Sequence, residues 1–102
     1  MENKGVSHYM VEFDLSLADL NELYHLAPQQ QERVNELFLR GKIHTYSLSM
    51  IYDKLWAVFV VESESELVNL IESLPATTYL DYNYHELMFH QSLGVMPNYS
   101  LN

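Results

Sequence analysis

Residues 42–61 read KIHTYSLSMIYDKLWAVFVV, and this stretch decides the fold. Its second half, Leu55–Val61, is the longest apolar run in the chain and is rich in β-branched and aromatic residues. That is the composition of a strand covered on both faces. Leu55, Ala57, Phe59 and Val61 point one way, and Trp56, Val58 and Val60 the other. Lys42–Ile51 reads as a strand as well. Tyr52-Asp53-Lys54 is a short connection, which makes the two strands hairpin partners.

Upstream, Arg40-Gly41-Lys42 is a helix stop, with a glycine for the left-handed cap and basic residues at the negative helix end. Glu32–Arg40 is helical, with Val34, Leu37 and Phe38 as its apolar stripe. Pro28 predicts a kink or a new helix start. Before it, Leu17, Leu20, Leu23 and Tyr24 follow at helical spacing behind a capping box, Ser16 to Asp19, with Ser16 as the acceptor. His8–Leu15 alternates, with Tyr9, Val11, Phe13 and Leu15 on the apolar side. Residues 1–7 read as a frayed tail.

Downstream, Ser63 to Glu66 forms a second capping box. Leu67, Val68, Leu70, Ile71 and Leu74 give one helical stripe, and Pro75 ends it. Tyr79–His90 is the last strand, and residues 91–102 lack periodicity and read as a tail. The order β-α-β-β-α-β predicts an α+β, ferredoxin-like fold, a four-stranded antiparallel sheet with both helices on one face. The 102 residues fit a single domain, with its core over 8–90.

Composition removes several kinds of chemistry. The chain has no cysteine, hence no disulfide, thiolate nucleophile or zinc–sulfur site. Its three glycines lie far apart, and neither a phosphate-binding loop nor a Gly-x-Ser-x-Gly elbow is present. Fourteen acids against five Lys plus Arg give a formal charge of −9. That balance argues against nucleic acid and anionic membranes as partners. The opening MENKGVSHYMVEF has no basic-then-apolar signal pattern, and no run is long enough to span a bilayer, so a cytoplasmic protein is expected.

Helices on one face leave the other open. Strands two and four carry Tyr46, Leu48 and Met50, and Tyr82, Tyr84 and Met88, and these are expected on the open face together with one side of strand three. Such an apolar patch predicts a homodimer or higher oligomer, with two sheets packed face to face around a shared cavity.

Two segments carry a family likeness. Glu32–Ile43 (ERVNELFLRGKI) leads into the hairpin that ends WAVFVV, and Leu74–Tyr84 (LPATTYLDYNY) closes the fold. Over roughly residues 8–90 the chain resembles the muconolactone delta-isomerase family. The resemblance implies a dimeric α+β barrel, often built into larger rings. It also implies a cofactor-free isomerase that moves a proton next to a lactone carbonyl, with Glu32 carried over by position. The chain departs from the family where His44-Thr45-Tyr46-Ser47-Leu48-Ser49 replaces a basic, aromatic stretch, and where Thr78 replaces a proline. A carboxylate-bearing substrate would miss its arginine fork.

Enolisation needs a base at the acidic carbon and donors at the developing oxyanion. Glu32 and His44 are the candidate acid–base pair. Tyr46, Trp56, Tyr82 and Tyr84 are the candidate pocket wall, with Tyr46 as an orienting donor. His85 and Glu86 are neighbours in a strand and face opposite ways. His8, His85 and His90 lack metal-ligand spacing, and neither metal nor cofactor is expected. The functional expectation is a cofactor-independent isomerase acting on a small molecule. The alternatives are a non-catalytic small-molecule-binding or assembly module, and a cofactor-free monooxygenase of the same fold.

Overall fold

In the computed structural model, which describes residues 5–91, the chain forms β1 (Ser7–Asp14), α1 (Leu20–Leu39), β2 (Ile43–Leu48), β3 (Lys54–Val61), α2 (Glu64–Glu72), a 3₁₀ turn (Pro75–Tyr79) and β4 (Asp81–Leu87). The strands make one antiparallel sheet in the order β2-β3-β1-β4. This is the expected ferredoxin-like α+β topology. Most of the expected C-terminal tail lies outside the described residues. Among the described residues, no helix is long and apolar enough to cross a membrane.

One core joins the sheet to both helices. Val11, Phe13, Ala57, Phe59 and Val61 from β1 and β3 pack with Val34 and Leu37 of α1 and with Leu67 and Ile71 of α2. Each large side chain buried there contributes about 1.5–3 kcal/mol. The expected stop at Gly41 is a Schellman turn: Gly41 has φ 74°, its amide donates to Phe38 at 3.0 Å, and the Lys42 amide donates to Leu37 at 2.8 Å. Ser63 caps α2 as expected, accepting from the Glu66 amide at 3.0 Å. The Glu66 carboxylate reaches back to the Glu62 amide.

Three local expectations are corrected. Asp19, not Ser16, caps α1, accepting from the amides of Asn21 at 2.9 Å and Glu22 at 3.4 Å. Ser16 instead donates to Asp14, and a turn closed from Ala18 to Leu15 uses up the residues that would have been the first helical turn. Of the two outcomes expected at Pro28, a kink or a new helix start, the new start does not occur, because α1 runs through it as one element. The carbonyl that loses its donor belongs to Tyr24, an exposed residue where water can replace the bond, while Gln30, Val34 and Leu37 anchor the helix beyond. β4 begins at Asp81 rather than Tyr79, because Pro75–Tyr79 is a 3₁₀ turn.

The largest correction concerns the faces of the sheet. Tyr82 pairs with Phe13 and Tyr84 with Val11, while Tyr46 pairs with Ala57 and Leu48 with Leu55. Cross-strand partners share a face, so all four lie on the helix side. On β2 the cause is a register irregularity at His44, between Ile43 and Thr45, after which Ile43 and Tyr46 both face inward. The open face instead carries Met10, Glu12, Thr45, Ser47, Trp56 and Asn83. It is mixed rather than apolar, so the argument for face-to-face pairing of sheets loses its tyrosines.

Candidate functional site

A cavity of about 380 Å³ lies between the middle of α1, strand β2 and the 3₁₀ turn. Leu15, Leu23, Leu55 and Leu80 make its apolar walls, and Gln30 and Tyr46 bring its buried polar atoms. The helix turn around Pro28 flanks it, since Ala27 is a wall residue. The volume falls within the range of small-molecule pockets.

The hydrogen bonds at this site have only one possible polarity. The Ala76 amide can only donate, and it donates to Gln30 Oε1 at 2.9 Å. That fixes the Gln30 amide, so Nε2 is the atom facing Tyr46 and donates to the Tyr46 hydroxyl oxygen at 2.9 Å. The hydroxyl oxygen is therefore an acceptor here, and its hydrogen is left to donate elsewhere. No acceptor among the described residues takes it. Burial raises the Tyr46 pKa above its ordinary value, an effect the Gln30 hydrogen bond partly offsets. The phenol therefore stays protonated at neutral pH. The arrangement leaves one hydroxyl donor without an acceptor among the described residues, at a largely apolar cavity whose wall also includes Gln31.

Gln30 was not among the residues singled out from the sequence. The signal was present, because Gln30, Val34 and Leu37 share the buried stripe of α1 at spacings of four and three. A polar residue on an apolar stripe has to find partners.

The other expected site residues do not join Tyr46. Glu32 is exposed on α1. His44 sits at the β2 irregularity with its ring against His8, on the open face. Trp56 is also on the open face, where its indole N–H donates to Glu12 at 3.1 Å. Tyr82 and Tyr84 lie on the helix side but brace β4 against α2, donating to Glu72 at 3.0 Å and to Glu64 at 2.6 Å. Their pKa values are raised: for Tyr82 by burial and then the Glu72 carboxylate, for Tyr84 by its hydrogen bond to Glu64 and then burial. His85 and Glu86 face opposite ways as expected, His85 opposite Met10 and Glu86 opposite Tyr9.

The open face holds one feature that the sequence reading missed. His8, His44 and His90 form a near-equilateral triangle, with ring centroids 5.5, 5.6 and 5.7 Å apart. His90 Nε2 is buried without a hydrogen-bond partner. Among the described residues, no group of three His, Asp or Glu side chains is arranged to hold a metal ion.

No model of a known protein family matches the chain, and no curated protein matches it.

Proposed function

We propose that this protein binds a small, uncharged, largely apolar molecule carrying one hydrogen-bond acceptor, such as a ketone or lactone carbonyl, in the cavity between α1 and β2. The observation that carries this reading is the Ala76–Gln30–Tyr46 chain, which leaves the Tyr46 hydroxyl hydrogen for the occupant. A charged ligand would find no ion-pair partner on the walls named above. Proton transfer to such a ligand would require Glu32 and His44 beside it. Glu32 is exposed and His44 is on the other face of the sheet, so binding without turnover is the favoured reading.

The test compares acetophenone with ethylbenzene, probes of similar shape that differ in the acceptor oxygen. Binding is followed by NMR shifts at Leu23, Tyr46 and Leu55. Acetophenone should bind about 5–10-fold more tightly, the worth of one modest hydrogen bond. Tyr46→Phe should remove that preference while leaving ethylbenzene binding intact. No perturbation of these residues by either probe, or a preference that survives Tyr46→Phe, overturns the proposal.

A further inference from the structure

We infer that the His8–His44–His90 cluster is a proton-operated latch, which holds residues 88–90 after β4 turned over β1 and releases them at mildly acidic pH. Leu87 pairs with His8 at the end of β4, which is one edge of the sheet. Three residues later the His90 ring touches both His8 and His44, and His44 belongs to β2 at the opposite edge. The chain must therefore turn inward over β1. Met88 is 99% exposed and Phe89 67% exposed, so burial of these two large side chains does little to hold the turn. The His90 ring, packed against His8 and His44, ties the turn to the sheet.

Electrostatics act on the same cluster. Three imidazoles within about 6 Å tolerate one charge, but each further proton meets like charges. His90 Nε2, buried without a hydrogen-bond partner, marks how closely the three rings pack. β3 contributes Val58 and Val60, both uncharged. β4 contributes Leu87 and, further along, His85 opposite Met10, while Glu86 lies on the helix side opposite Tyr9. Lys42, just before β2, is engaged with Glu66 of α2. Among the described residues no carboxylate forms an ion pair with any of the three histidines.

The His8 pKa is lowered from 6.5, first by burial and then by His44 and His90. A depressed folded-state value means that the closed form is favoured fully above 6.5. That advantage is lost as pH falls below 6.5 and through the folded value. The latch is thus shut at pH 7.5 and opens on acidification.

The experiment is an NMR titration of the full chain from pH 8 to 5. It follows nuclear Overhauser contacts from the His90 ring to the His8 and His44 rings, with the amides of Ala57 and Phe59 reporting on the core. The contacts should be present at pH 8 and lost as the pH falls below 6.5, with the core amides unchanged. His44→Gln, at an exposed position, removes one of the repelling charges and should move the release midpoint down by roughly half a pH unit or more. Contacts that persist to pH 5, a midpoint that His44→Gln does not move, or loss of the core amides at the same pH would each overturn the latch.

Discussion

Tyr46 and Tyr84 occupy the same side of one sheet, on strands at its two opposite edges, and their hydroxyls do opposite jobs. Tyr84 donates to the Glu64 carboxylate, so its hydrogen is used and the side chain becomes a strut between β4 and α2. Tyr46 accepts from the Gln30 amide, so its hydrogen is spare, and the side chain lines a cavity. The residue type is the same, and so is its relation to the helices. What differs is whether the partner is an acceptor only or a donor. A carboxylate makes a tyrosine structural; an amide nitrogen fixed from behind by a backbone N–H makes it available to a ligand.

The most damaging way to break this contrast is Gln30→Ala. It leaves the buried Ala76 amide without an acceptor and Tyr46 without its donor. A loss of about 2–3 kcal/mol in denaturant unfolding is expected, within the cost of an unsatisfied buried polar group plus lost packing. Tyr46→Phe should cost less, about 1 kcal/mol or under, while removing the preference for acetophenone. A variant that loses stability but keeps the preference would place the donor elsewhere.

High pH sharpens the comparison from the other edge. The Tyr82 pKa is raised above 10.0, chiefly by burial and next by Glu72. Its contribution to stability is therefore present below pH 10 and lost as pH rises through the folded value. Urea midpoints measured between pH 9 and 11 should fall less steeply in Tyr82→Phe than in the parent chain. The smallest effect is expected from Tyr84→Phe on ligand binding. Its strut is remote from the cavity, and acetophenone titration should find the affinity unchanged.

The sequence revealed the elements more readily than their faces. β3 was legible because an apolar run on both sides of a strand needs cover on both sides, and Val58 is indeed 1% exposed although it lies on the open face. Gly41 and Ser63 were legible because their caps are local. The tyrosines were not. On β2, the irregularity at His44 changes which residues face inward, and nothing within the strand announces it. On β4, the face is set by pairing with a strand some seventy residues earlier. Gln30 could have been found from its place on the stripe. The histidine triangle could not, because it assembles from β1, β2 and the chain after β4.

The irregularity at His44 has a consequence for solubility. β2 is an outer strand of only six residues, and its unpaired side would otherwise offer a regular ladder of amides and carbonyls to another molecule. An extra residue breaks that ladder near its start and twists the strand locally, so a foreign strand cannot run in register along it. The same device that turns Tyr46 toward the cavity thus also guards the margin of the sheet against aggregation, and removing one residue at His44 should increase fibril formation on heating.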